Sequence, residues 1–162
     1  MRLLIFALAH LVTIWRGPSP ALARHVRALG GETYLESIGD TMQREAEVRG
    51  LDPLLVGMVA FFESSLNPDA LGAAGERGLM QLHPSSEWGR AAARDCKSGT
   101  TYECRTTVSI RWGAEALRQG LMICGSETSA IGWFRTGRCV DGPASRAVVA
   151  MRDRMRALGG GK

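Results

Sequence analysis

The chain has 162 residues, room for one domain, and is 45% hydrophobic and 22% charged. That composition excludes intrinsic disorder, collagen and coiled coil as descriptions of the whole. The formal net charge of +4 comes from basic residues scattered among 16 acids without a run or stripe, which argues against nucleic-acid recognition and fits solubility with mild attraction to an anionic surface.

Residues 1–23 read as a secretory signal peptide. Arg2 precedes a largely apolar stretch over 3–15, followed by Gly17-Pro18-Ser19-Pro20 and then Ala21-Leu22-Ala23, an A-x-A cleavage pattern. The stretch is short for a bilayer span, which needs about 20 apolar residues. Its removal takes away Arg2 and Arg16 and leaves a nearly neutral mature domain over 24–162, with no stable membrane span.

Thr33 and Glu36 have capping-box spacing, and Tyr34, Ile38, Met42 and Ala46 repeat every four residues towards Gly50, predicting a first amphipathic helix. Asp52-Pro53 restarts a helix, with Asp as N-cap and Pro in the first turn. Residues 54–62 carry no polar side chain, so this helix is apolar all round and central. Residues 66–78, with Asn67-Pro68 and three glycines, predict an irregular loop or a pair of very short strands. Ser85 or Ser86 caps an Ala-rich helix reaching Arg94. Thr106 or Thr107 caps another, on which Val108, Trp112, Leu117 and Leu121 share a side, and a short helix runs from a cap at 126–128 to Gly137. Pro143 opens a last helix through Val148, Met151, Met155 and Leu158, stopped by Gly159-Gly160-Gly161. The fold class is mostly α, as a single domain.

Cys96, Cys104, Cys124 and Cys139 all fall in the mature part, and an even number in an exported chain implies disulfides. Three connectivities are possible. The Ser, Gly and Thr residues between Cys96 and Cys104 favour a local staple there, with Cys124 to Cys139 as the second. No C-x-x-C pair or nearby His supports zinc, and no metal site is expected.

Glu63 follows the apolar run directly. On a helix, its neighbours three, four and seven residues back are Ala60, Val59 and Val56, so the carboxylate extends an apolar stripe at the negative end of the helix dipole. Desolvation and the dipole both favour the protonated acid, the state a general acid requires. The alternative is a frayed helix end with Glu63 in water.

The string Glu63-Ser64-Ser65-Leu66-Asn67-Pro68-Asp69-Ala70, then Gly75-Glu76-Arg77-Gly78-Leu79-Met80-Gln81-Leu82-His83-Pro84, resembles the signature of the soluble lytic murein transglycosylases, lysozyme-like enzymes that cleave bacterial peptidoglycan. The resemblance implies a lysozyme-like domain with Glu63 as catalytic acid, Ser64 beside it and Gln81 in contact with substrate. Met80 offers an adaptable apolar contact and Gln81 both donors and an acceptor for an N-acetyl group. Core packing is the competing role for Met80.

Three departures from the family pattern stand out. Gly72 replaces a common Ser, Glu76 replaces a small residue, and the later Ala-Tyr-Asn-Ala-Gly stretch corresponds to Trp133-Phe134-Arg135-Thr136-Gly137. Phe134 keeps the ring without the hydroxyl, and Arg135 brings a charge that favours ionised Glu63. Low activity, or a different alignment at this motif, is consistent with that change. Phe134 and Arg135 are nonetheless candidate substrate-binding residues.

Ordinary glycoside hydrolysis needs two carboxylates; Asp69, Glu76 and Glu87 are the nearby acids, and spacing singles out none. The resemblance implies instead that Glu63 serves as acid and then base while the substrate's acetamido group stabilises the cation. The bond between N-acetylmuramic acid and N-acetylglucosamine would then close to a 1,6-anhydromuramoyl end with no cofactor. A hydrolytic muramidase and a weakly active peptidoglycan-binding module are the alternatives. The expected partner is the glycan strand, in the periplasm or extracytoplasmic space. In size and layout the chain resembles small specialised transglycosylases that accompany secretion, conjugation or pilus machines.

Overall fold

The computed structural model describes residues 32–97 and 101–159. The expected signal peptide and the terminal Gly160-Gly161 lie outside them. Six helices follow in order: α1 Glu32–Glu47, α2 Pro53–Ser64, α3 Glu87–Asp95, α4 Tyr102–Cys124, α5 Glu127–Thr136 and α6 Pro143–Gly159. The mostly α expectation holds, and the loop after α2 carries isolated antiparallel bridges, Leu71 with Arg77 and Arg77 with Leu82.

The helix boundaries follow from local chemistry. Asp52 caps α2 by accepting the Leu54 N–H at 3.1 Å, and Pro53 fills a first-turn position where no N–H is needed. Ser86 caps α3, accepting the Gly89 N–H at 2.9 Å, and Ser126 caps α5, which ends on left-handed Gly137. Two expected starts are corrected. Helix α1 already runs from Glu32, so Thr33 lies inside it. Helix α4 is capped by Thr101, not by Thr106 or Thr107. Thr106 is buried on the inner face of α4, where it faces the core instead of ending the helix.

Helix α2 is the hub, with every residue from Leu54 to Phe61 buried. Ile38 and Met42 of α1, Leu55 and Met58 of α2, Leu66, Leu79 and Met80 of the loop, and Ile110 and Leu117 of α4 form the fully buried centre. Helix α4 packs against α1, α2, α3 and α5, and α6 closes on α2 and α5. Of the expected last-helix stripe, Val148 and Met155 are buried, Met151 is partly buried and Leu158 is exposed.

A buried arginine ties three helices together. Arg152 of α6 donates to Asp52 Oδ2 at 2.7 Å and Glu127 Oε1 at 2.9 Å, so one cation joins the carboxylates at the N-termini of α2 and α5. Both carboxylates also face the positive ends of their own helices. Disulfides join Cys96 to Cys104 and Cys124 to Cys139, the local pairing favoured by the sequence. Cys104 lies in the first turn of α4, and Cys124 is its last residue.

Candidate active site

Helix α2 ends at Ser64, and the chain leaves it through two residues with positive φ, Ser65 (53°) and Leu66 (59°). This left-handed exit is costly for residues with a Cβ. It is held by the Ser65 N–H donating to Phe61 O at 2.8 Å and by the Tyr34 hydroxyl donating to Leu66 O at 2.6 Å. The helix therefore does not fray at Glu63. Its carboxylate projects from the last turn into a cleft of about 460 Å³.

The loop after α2 forms the cleft floor. Gly75 and Gly78 adopt positive φ, and the Arg77 N–H and O pair with Leu82, both bonds at 3.1 Å. This folds the two halves of the sequence motif onto each other and brings Glu76, Gln81 and Leu82 to the cleft. Gln81 itself has φ 45°, and its Nε2 donates to Gly78 O at 2.9 Å and Ala70 O at 3.1 Å. Both amide protons are thereby used, and only Oε1 remains to meet a ligand.

The walls come from α3 and α5. Trp88 in the first turn of α3 lines the cleft and stacks on Trp112 of α4, with ring centroids 6.3 Å apart, and the Trp112 indole donates to Asp95 Oδ2 at 2.9 Å. His83 and Ser86 lie at the same rim. The Ser85 N–H stands 3.2 Å from His83 Nδ1, and the Ser85 hydroxyl lies 2.7 Å from the same nitrogen. Opposite, α5 presents Phe134 and Arg135.

Glu63 is governed by three influences, burial and two charged groups. Its side chain is 14% exposed, and burial pushes its carboxyl above the usual carboxylate range. Arg135 Nε stands 3.1 Å from Oε1 and pulls in the other direction, while the Glu76 charge adds to the upward push. Burial is the largest effect, so the carboxyl is held above the usual carboxylate range even beside a guanidinium.

Four of the six sequence-selected site residues, Glu63, Gln81, Phe134 and Arg135, meet in this cleft. Ser64 is part-buried on α2 and donates its hydroxyl to Ala60 O at 3.0 Å. Met80 is fully buried, packed against Gly113, with its N–H donating to Ser109 Oγ at 3.1 Å. Its side chain therefore supports the floor from beneath and does not face the cleft, the core role that competed with substrate contact. His83, Ser86 and Trp88 also line the cleft; an aromatic two residues after a serine cap carries no local mark of one. Glu76, a departure from the family pattern and one of the three nearby acids, is the one of the three that lines the cleft, Asp69 instead pairing with Arg105 at 3.3 Å. No cluster of metal-ligating side chains occurs among the described residues, and none of their helices is long and apolar enough to cross a membrane.

The family model described as Transglycosylase SLT domain matches residues 40–138, more than half of the chain. No curated protein is significantly similar in sequence. Among solved structures, the chain is similar in fold to an inactive mutant of the lytic transglycosylase Slt from Pseudomonas aeruginosa, with a TM-score of 0.55 and 22% identity. That match covers 96% of this chain but 28% of the other, so the present chain spans under a third of its length.

Proposed function

This chain belongs to the Transglycosylase SLT domain family, the lytic murein transglycosylases, and from that membership we propose that it cleaves the β-1,4 bond between N-acetylmuramic acid and N-acetylglucosamine in peptidoglycan, leaving a 1,6-anhydromuramoyl end. The observation that carries this reading is Glu63, an acid whose carboxyl is pushed above the usual carboxylate range by burial at the end of an apolar helix and which opens into a cleft. A neutral carboxyl can donate to the glycosidic oxygen as the bond breaks. The acetamido oxygen of the substrate closes on the anomeric carbon. The carboxylate left on Glu63 then takes the proton of the C6 hydroxyl as that oxygen displaces the acetamido oxygen. No water is consumed, and the acid is regenerated.

In this reading the Gln81 carbonyl oxygen, the Phe134 ring and the Arg135 guanidinium contact the strand, and Ser64 and Met80 hold the ends of α2 and the floor in place. Arg135 has to yield its hold on Glu63 when the glycosidic oxygen arrives. We also assign the site of action to the extracytoplasmic space: the sequence begins with a cleavable leader pattern, and two disulfides with no free cysteine suit an oxidising compartment. Opening of the wall for a secretion, conjugation or pilus apparatus is part of the same proposal.

One observation favours hydrolysis, namely that Glu76 supplies a second carboxylate in the same cleft. Mass spectrometry of muropeptides released by the oxidised chain separates the two. Anhydromuramoyl ends support the transglycosylase. Reducing N-acetylmuramic acid ends would replace it with a muramidase, and binding without released product would leave a recognition module.

A further inference from the structure

We propose that Glu76 contacts the substrate directly: its carboxylate and the Gln81 carbonyl oxygen converge over Gly72 to form an all-acceptor floor that takes the N–H of the sugar's 2-acetamido group. This rests on the transglycosylase reading and adds to it a residue outside the family's motif.

The convergence is visible at Gly72. A Cβ there would press on Glu76 Oε2 and stand 2.7 Å from Gln81 Oε1, so the absence of a side chain is what lets both oxygens occupy that space. The two sequence departures at 72 and 76 are therefore one change: losing the side chain at 72 makes room for the carboxylate at 76. Gln81 presents only its oxygen, because Ala70 O and Gly78 O take both of its amide protons. Glu76 Oε2, the oxygen that converges with Gln81 Oε1, also accepts the Ala74 N–H at 3.0 Å, which anchors it there and leaves it a further lone pair for a donor. Both residues line the cleft into which Glu63 opens.

A floor made only of acceptors selects donors. On this substrate, the acetamido N–H is the donor whose charge changes during reaction. As the acetamido oxygen bonds to the anomeric carbon and the glycosidic C–O bond breaks, Glu63 gives its proton to the leaving oxygen and the acetamido nitrogen becomes positively charged. A fixed carboxylate against that N–H gains more in the transition state than in the ground state, the condition for raising kcat instead of only tightening binding. The same charge is among the groups that push the Glu63 carboxyl upward, after burial and against Arg135.

The competing role is purely structural, with Glu76 doing no more than closing the turn through Ala74. Two variants separate the roles on a soluble glycan tetrasaccharide of alternating N-acetylglucosamine and N-acetylmuramic acid. Glu76→Gln keeps an oxygen for the Ala74 N–H and removes the charge. The expected result is a fall in kcat of about 100-fold, the lower end of the range for losing one preorganised polar group, with KM and melting temperature little changed. The double variant Gly72→Ser with Glu76→Ala refills the space without the carboxylate; it should fold and be equally slow. A wild-type kcat in either variant overturns the proposal, as do reducing-end products from the wild type that disappear in Glu76→Gln, since these would make Glu76 a base for water. If the wild type itself yields no anhydromuramoyl product, the transglycosylase reading fails first and takes this inference with it. If the wild type is active and the variants match it, only the role of Glu76 falls.

Discussion

Arg135 Nε and Glu63 Oε1 are 3.1 Å apart, an ion pair across the cleft between the last turns of α5 and α2. The guanidinium is 37% exposed and the carboxylate 14%, so water screens the cation more than it reaches the acid. This explains how a positive neighbour coexists with a carboxyl lifted above its usual range.

Replacing Arg135 by Asn is therefore expected to raise the Glu63 pKa further, because the group that lowers it is gone. A general acid must be protonated when substrate binds, so activity persists to higher pH and the alkaline limb of the kcat/KM profile moves upward. Profiles measured on soluble glycan check this, and a limb that moves downward or stays fixed would show that Arg135 does not govern the acid.

Glu63→Gln should lose activity by about 100- to 10,000-fold, the range expected for a positioned acid–base group. Its stability carries a second signature. A carboxyl whose folded pKa lies above its unfolded value contributes stability that is fully present below the unfolded pKa and is lost as pH rises through the folded one. At neutral pH the buried charge is a burden that Gln removes. The variant should melt at or above the wild type near pH 7, and that advantage should shrink as pH falls towards 4. Melting curves at both pH values test it.

Arg152→Ala should cost about 2 kcal/mol or more. Removing one partner of a buried pair leaves uncompensated charge, here chiefly on Glu127 because Arg156 still pairs with Asp52 at 2.5 Å, and the partial exposure of both acids keeps the loss below the full buried value. Urea unfolding measures it, and a loss within 0.5 kcal/mol, about the size of an ordinary surface substitution, would show that Arg152 is not holding α2, α5 and α6 together.

Converting Cys124 and Cys139 together to Ser should destabilise by about 2 to 4 kcal/mol through the freed unfolded chain. The Cys96 and Cys104 pair closes the shorter loop, with a separation of 8 against 15, and should cost somewhat less. Equal midpoints for the oxidised and reduced protein in denaturant would contradict both.

Much of the frame was legible because its signals are local. Asp52-Pro53 and the apolar run to Phe62 define α2, and Ser126 and Gly137 bracket α5, each through a cap that needs no distant partner. The start of α4 was not legible, since Thr101, Thr106 and Thr107 are equal as caps on chemistry alone. Packing decides among them by burying Thr106 and exposing Thr101. The cleft divides in the same way. Glu63 stood out because an acid followed an apolar run. Met80 looked like a contact until its neighbour Gly113 drew it into the core, while Glu76 and Trp88 gained meaning only when loop and helix folded against each other.

The two disulfides bear on how the cleft can move. Cys96 caps the end of α3, whose first turn carries Trp88, and Cys139 follows α5, which carries Phe134 and Arg135. Each jaw is thus riveted to an opposite end of one 23-residue rod, α4, about 34 Å long at 1.5 Å per residue. The two tethers limit how far either jaw can travel from the rod. For the proposed glycan strand, side chains that can swing, Arg135 first among them, are then the readiest way to adjust the gap.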